Sequence, residues 1–450
     1  MLSLLSPDVI DGLVVVGMFI IRIGLPIGIV LAFGYWLQRR LRPEDFEEAP
    51  AIERAPKWMR RVGREMDALP AWLPTIVLMM LVGVGAGIYR LSVGLGTATN
   101  LNQGYPWGLW IGFDLFMVAF SGGAFTLAAL VYVLGLHKFH AAIRPTVLTG
   151  LLGYSSVLLI LMMDLGRWDR FYHFIIYPNL NSALFEVSWC ILLYTTVLVA
   201  EFTPVVLERT HLDRLMNFVK RLPVPLAIIG ATLSSLHQSS LGTLFVIMSE
   251  RVHPLWYTSL LPLLFFISSV ASGLAMVVAG GTVSYWVFKR SLPQKLVGDL
   301  AKFIPWIMLV YAGIKFGELI YSGDISYLTH RDMYSTLYLV EMLVGVAAPI
   351  ILFALPQVRS SRAMSFFAAA MLLLGIFVNR FNVAWFSLKP VEGFSYFPSF
   401  SEIAIQVGVI SAIIFVYTLV GHYFPLFEGL APTEEIERAK SEAYGLGHAY

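Results

Sequence analysis

The chain has 450 residues, 58% of them hydrophobic and only 13% charged, with a mean hydropathy of +0.74. Soluble domains are roughly a quarter charged, so the composition excludes an ordinary soluble enzyme and points to a polytopic membrane protein. The net charge of +2 carries little information for such a chain, for which no nucleic-acid partner is expected, and the single cysteine, Cys190, excludes intrachain disulfides and cysteine-ligated clusters or zinc.

Apolar runs of about 20 residues span a ~30 Å hydrocarbon core as helices, which satisfy their backbone internally. The sequence predicts eleven, near 9–37, 71–95, 107–136, 145–165, 182–206, 223–248, 256–288, 298–321, 333–355, 364–384 and 402–424. The connecting loops alternate in charge: 22 of the 31 Lys and Arg fall on one side and 7 on the other. Positive charge marks the cytoplasmic side, so the N-terminus is expected outside and the C-terminus in the cytoplasm. The fold expected is all-α: an accessory helix at 1–38, a charged cytoplasmic linker at 39–70, a ten-helix core at 71–425 and a cytoplasmic tail at 426–450. The first span could instead be an uncleaved signal sequence, but its apolar stretch is long, no basic segment precedes it, and no A-x-A site follows.

The loops on the less basic side, "NLNQGYPWGLWIGFD", "GRWDRFYHFIIYPNLNSALFE", "SERVHPLWY" and "KPVEGFSYFPSFSE", are rich in Trp, Tyr, Phe, Pro and Asn. They form either an interfacial aromatic belt or a docking platform for an extracytoplasmic partner.

Polar residues inside the spans are the main functional lead, because ionisable groups in hydrocarbon are costly and are kept for a task or a partner. Asp114, Tyr154, Asp164, Glu186, His237, Glu318 and Arg380 all fall toward the outer halves of their spans, compatible with one polar cavity. His237 lies ~18 Å from its outer helix end, with Gln238, four serines (234, 235, 239, 240) and Gly242 around it. That setting favours a small polar pocket, in which an imidazole can both donate and accept hydrogen bonds. Lys315 and Glu318, three residues apart, either neutralise each other or serve the pocket. Glu186, Glu201 and Glu341 form a candidate inward proton route, or Glu201 and Glu208 simply mark a cytoplasmic helix end.

The stretches "LNQGYPWGLWIGFDL", "GYSSVLLILMMDLGRW", "NSALFE", "HQSSLGTL", "HPLW", "FGELIY" and "YFPSFSE" resemble, in order and spacing over residues 70–425, the NrfD/PsrC family of quinone-interacting membrane subunits, and within it the HybB-type subunits of periplasm-facing [NiFe]-hydrogenases. The resemblance implies a helical inner-membrane subunit without haem or iron–sulfur cluster of its own, binding menaquinone or a related quinone near the outer face. It implies partners: a periplasmic ferredoxin-like iron–sulfur subunit and catalytic subunits such as the hydrogenase large and small chains. It also implies that Tyr154 and His237 serve the quinone pocket and Glu186 serves proton transfer. HybB-type subunits carry a further glutamate where this chain reads "VVAGGTV", with Gly280 and Gly281.

The expected quinone-pocket residues are thus His237, Tyr154, Asp114, Gln238 and Gly242; those for proton transfer are Glu186, Glu201, Glu318, Glu341 and Asp164; no metal ligands are expected. Bis-histidine haem needs two facing ligands at matching depth; His237 has no evident partner at mid-depth, while His137, His140 and His422, near the cytoplasmic ends, either pair or simply mark a solvated interface. Two other classes stay open: an ion-translocating bundle and a passive membrane anchor for a redox enzyme.

Overall fold

The computed structural model describes residues 72–208, 213–288, 292–424 and 426–427. The predicted first span, the linker and nearly all of the tail lie outside the described residues. Ten long helices follow one another: α1 Leu73–Val93, α2 Leu109–Val133, α3 Ile143–Asp164, α4 Ala183–Leu207, α5 Pro223–Ile247, α6 Leu261–Phe288, α7 Ile304–Tyr321, α8 Met333–Ala354, α9 Arg362–Phe386 and α10 Phe400–Tyr423. Nine of these are long and apolar enough to cross a membrane. The other, α5, has 25 residues, but its histidine, glutamine and serines lower its hydropathy. Among the described residues there is no β-strand, only an isolated bridge between Val252 and Leu388.

Local chemistry sets the helix ends. Prolines open α5 and α7 where no intrahelical N–H is needed. Ser182, Asp332 and Ser361 cap α4, α8 and α9 with side-chain oxygens. At α10, Ser399 and Glu402 form a reciprocal capping box, and Glu402 also accepts from the Tyr396 hydroxyl and the Asn100 backbone N–H. Tyr396 is half-buried, and desolvation together with the Glu402 carboxylate pushes its phenol pKa upward.

Helices α2, α3, α4 and α5 close one four-helix ring, and α6, α7, α8 and α9 close a second. The rings meet where α6 packs on α2 and α5 and where α9 packs on α2, while α1 and α10 pair against each other beside the first ring. Small residues permit these approaches. A Cβ on Gly83 would strike Gly408 of α10, one on Gly345 would strike Gly375, and one on Gly273 would strike Gly122 and Gly123. Large side chains on the outside, such as Ile88, Trp306 and Ile320, are exposed, as expected where lipid is the solvent.

The aromatic loops gather at one end of the bundle, called here the loop face, and are tied across both rings. The His253 N–H donates to the Ser387 carbonyl at 2.9 Å, the Lys389 N–H to Arg251 at 2.7 Å, and the Arg251 guanidinium to the Gly104 carbonyl. The His253 ring stacks on Tyr334 with centroids 4.3 Å apart, and burial pushes the imidazole pKa downward.

Candidate functional site

The polar stretch on α5 sorts itself by helix geometry. Ser235 and Ser240 return their hydroxyls to the carbonyls of Ala231 and Leu236, at 2.6 and 2.8 Å, satisfying themselves on their own helix. Ser234, His237 and Gln238, at i, i+3 and i+4, face the interior and have no exposed surface. Gly242, one turn on, sits where a Cβ would collide with the backbone of Pro262 at the start of α6. It fits helix packing rather than ligand contact.

Tyr154 of α3 completes the centre of this ring. Its Oη lies 2.9 Å from His237 Nδ1, and its ring meets Tyr194 of α4 edge-on at 4.7 Å. The bond engages one imidazole nitrogen and fixes the ring orientation, leaving Nε2 as donor or acceptor according to the tautomer. His237 Nε2 and both amide atoms of Gln238 are buried with no hydrogen-bond partner in the protein, while the Ser234 hydroxyl lies close to those of Tyr154 and Tyr194. Buried polar atoms are rarely left unpaired, so their convergence marks a place for water or a ligand.

Asp114, on α2, is nearer the loop face. It is 5% exposed, and neither carboxyl oxygen has a protein partner. Two turns along the same helix face, Ser121 packs against Gly153, next to Tyr154 on α3. Asp164 ends α3, within electrostatic range of Asp114. Arg90 of α1, fully buried, donates to the carbonyls on either side of Asp164, those of Met163 and Leu165, each at 2.6 Å. In the other direction Tyr194 is followed two turns later by half-buried Glu201. Glu208, at the end of α4, forms a bidentate bridge to Arg144 at 2.6 and 3.0 Å and reads as a structural helix-end pair. The first ring therefore holds an interrupted polar column: Asp164, Asp114, Tyr154 with His237, Tyr194 and Glu201.

Three expectations need correction. The structure does not gather the seven outer polar residues into one cavity, because they divide between the two rings. Glu186 stands apart as well, exposed on the first turn of α4. Glu341 does not extend a route with Glu186 and Glu201; it belongs to the second ring, across the bundle. Lys315 does not neutralise Glu318. Its Nζ lies 2.7 Å from Glu341 Oε1 in a buried ion pair, because the lysine stem turns into the ring while Glu318 stays near its edge.

The second cluster is dense. Glu341 also accepts from Trp256 Nε1, Asn379 Nδ2 and Asn382 Nδ2, each at 2.8 Å. Arg380 is buried on the same side of α9, donating to Asn379 and Ser268 at 2.6 and 2.8 Å and covering the Phe265 ring at 3.7 Å. No carboxylate hydrogen-bonds it. Glu341 and Asn382 each open a π-helical segment, Glu341–Ala347 and Asn382–Phe386, a wide-turn irregularity often found at functional positions. A narrow cleft lined by Trp256, Thr258, Tyr311, Lys315, Glu318 and Asn379 lies next to this cluster. Sequence reasoning missed Trp256, Asn379, Asn382 and Tyr194; the "NRFN" run inside an apolar span was the available signal for the two asparagines.

Among the described residues no group of three or more His, Cys, Asp or Glu could hold a metal ion. The described histidines other than His237 sit in loops or at helix ends, so none faces Nε2 as a second haem ligand.

Two four-helix rings with buried polar interiors define a multi-pass integral membrane protein built around sites inside its helices. Residues 97–388 match the family described as polysulphide reductase, NrfD, and the chain belongs to that family. The matched segment covers both rings. The chain is 31% identical over 376 residues, 82% of its length and 94% of the relative's, to the probable Ni/Fe-hydrogenase 2 b-type cytochrome subunit of Escherichia coli K12. It is 29% identical over 390 residues, 79% of its length and 91% of the relative's, to the menaquinone reductase integral membrane subunit of Nitratidesulfovibrio vulgaris Hildenborough. To the Hdr-like menaquinol oxidoreductase integral membrane subunit of Archaeoglobus fulgidus the identity is 22% over 399 residues, 83% and 98% of the two chains.

Proposed function

We propose that this chain is the quinone-reactive subunit of a respiratory oxidoreductase. It binds the head group of menaquinone or a related quinone at the Tyr154–His237 centre of the first ring. The observation that carries the reading is the pair's own geometry: Tyr154 holds His237 Nδ1 at 2.9 Å while Nε2 and the Gln238 amide are buried and unpartnered. A quinone carbonyl accepts a hydrogen bond and a quinol hydroxyl donates one. An imidazole whose free nitrogen takes either role suits both forms.

The loop face is read as periplasmic from the charge alternation. Its exposed Phe171, Tyr172, Ile176, Tyr177 and Leu180 support a docking surface for a periplasmic iron–sulfur subunit, which exchanges two electrons with the quinone. Two protons accompany those electrons. The residues of this chain that handle them are His237 at Nε2, Asp114 and Asp164 toward the loop face, and Tyr194 with Glu201 toward the other side. Among catalytic partners, a hydrogenase is favoured by the resemblance to the Escherichia coli subunit. Glu186, exposed at the start of α4, is assigned to proton exchange at the protein surface.

The test is His237→Ala in the purified complex. The expected result is loss of quinone-dependent turnover, with dye-linked activity of the catalytic subunits and subunit composition unchanged. Normal quinone turnover would reject the assignment. The column reaching Glu201 also favours a second reading, ion translocation; ion flux in proteoliposomes free of quinone would support that reading instead.

A further inference from the structure

We infer that the end of the bundle opposite the loop face carries a binding site for one anionic phospholipid, with its phosphate held by Arg359 and Arg362 and its chains lying on the α6–α9 seam. This inference is independent of the quinone reading. It rests on three observations.

The first is an unbalanced charge. Along 284–302 and 354–366, where the chain leaves α6 and enters α9, the only acidic residue in the sequence is Asp299. That carboxylate is already shared by two ammonium groups, Lys138 at 3.0 Å and Lys302 at 2.6 Å. It has no charge to spare for the arginines. Gln294 Nε2 donates to the Arg359 carbonyl at 3.0 Å, tying the start of the short helix Gln294–Ala301 to the arginine turn. Among the described residues no carboxylate pairs with Arg359 or Arg362, and Arg359 Nε is buried with no partner. Lys295 and Arg362 each stand on the first turn of a helix that has no acidic residue there, where the helix dipole disfavours a cation. The local charge therefore calls for an anion.

The second is the way one cation is presented. The Arg362 guanidinium covers the Tyr285 ring of α6 at 4.1 Å, and beside it Trp286 meets Phe366 of α9 edge-on at 4.9 Å. Stacking holds a guanidinium by its face and leaves the N–H groups of its edge for a planar or tetrahedral oxyanion such as a phosphate.

The third is depth. Trp286 is 51% exposed on the last turn of α6, and an exposed indole at the end of a membrane span marks the head-group level. From there the exposed apolar side chains of Val283 on α6 and Phe367 and Leu374 on α9 continue toward the middle of the bundle. A soluble anion would use the cations and leave this face idle. A phospholipid uses both, and basic positions between membrane helices are where anionic head groups settle. A lipid seated here bridges α6 and α9, and α6 also packs on α2 and α5 of the first ring.

The experiment is native mass spectrometry of the complex, purified with its accompanying subunits and released from phosphatidylcholine nanodiscs containing increasing amounts of phosphatidylglycerol. Wild type is expected to retain one phosphatidylglycerol in preference to phosphatidylcholine. Arg359→Gln/Arg362→Gln is expected to weaken that retention by at least about tenfold, counting about fivefold for each basic group at the surface. Lys138→Gln/Lys302→Gln removes the same charge from the same end, but from groups that Asp299 already neutralises, and should stay within about twofold of wild type. No preference in wild type would overturn the inference. So would an equal loss in both double variants, which reduces the effect to diffuse surface charge, or displacement of the lipid by inorganic phosphate, which makes this a free-anion site. Retention that appears only after removal of residues 428–450 would give the patch to the tail, which carries Glu434, Glu435, Glu437 and Glu442, and would also overturn it. If the arginine double variant fails to assemble, Arg362→Gln decides alone, by a loss of about fivefold or none.

Discussion

Tyr154→Phe isolates the hydrogen bond on which the quinone-site assignment depends. The substitution removes one oxygen and keeps the ring, so the edge-on contacts with Tyr194 at 4.7 Å and His237 at 5.5 Å persist. What is lost is the 2.9 Å bond to Nδ1 between two residues with no exposed surface. Breaking a buried hydrogen bond and stranding one partner costs about 1–3 kcal/mol, or about 5- to 150-fold in an equilibrium or rate. The imidazole then rotates and exchanges tautomers freely, so the loss is expected in KM and kcat for quinone together. The assay is steady-state quinone turnover by the purified complex, with dye-linked activity as the internal control and thermal unfolding in detergent as the check on folding. Both constants within about twofold of wild type would mean that Tyr154 does not orient a reacting group, and the argument from this pair would fail.

Further outcomes follow from particular contacts. Lys315→Met leaves Glu341 buried without its cation and is expected to lower stability by about 3–5 kcal/mol, whereas adding Glu341→Gln should restore most of it; thermal unfolding of the two single variants and the double measures the coupling. Asp114→Asn, nearly isosteric at a carboxyl with no protein partner, is expected to leave the melting temperature unchanged while slowing quinone turnover by about tenfold or more, and normal turnover would remove Asp114 from the site. Gly408→Val forces α1 away from α10 at Gly83 and is expected to destabilise that pair by about 1–3 kcal/mol, measurable by denaturation in detergent. His253 has a depressed pKa when folded, so the unfolded chain takes up a proton first as pH falls below about 6.5 and stability decreases from there downward. Amide exchange at residues 248–260, corrected for intrinsic rate, should accelerate between about pH 7 and pH 5. His253→Phe should abolish that dependence.

The helices were legible because lipid leaves the chain few choices: a run such as 400–423 must close its own hydrogen bonds, and its Ser399-x-x-Glu402 box announces where it starts. That His237 and Tyr154 belong together came only from the family resemblance, and the 2.9 Å contact between them is what the packing of the first ring adds. Which ring each carboxylate faces was not readable. Lys315 and Glu318 are adjacent on the sequence grid, yet a partner 26 residues away takes the lysine, and only the packing of α7 against α8 decides this. Glu341 likewise gave no hint of Trp256 or Asn382, because π turns shift the facing angle that a regular 3.6-residue count assigns. The exposure of Glu186 was hidden too: its residue type suggested a buried task, and its position on the first turn of α4 puts it on the surface.

The polar character of α5 also bears on how the protein is made. A segment carrying a histidine, a glutamine and a cluster of serines partitions poorly into lipid by itself, whereas α4 before it and α6 after it enter readily. Its membrane integration must therefore be cooperative, with α5 held near the insertion machinery until neighbouring helices cover its interior stripe. The polar stripe of α5 thus bears on the order of assembly, and a lesion in the α4–α5 or α5–α6 contact should appear first as a topology defect in newly made chains.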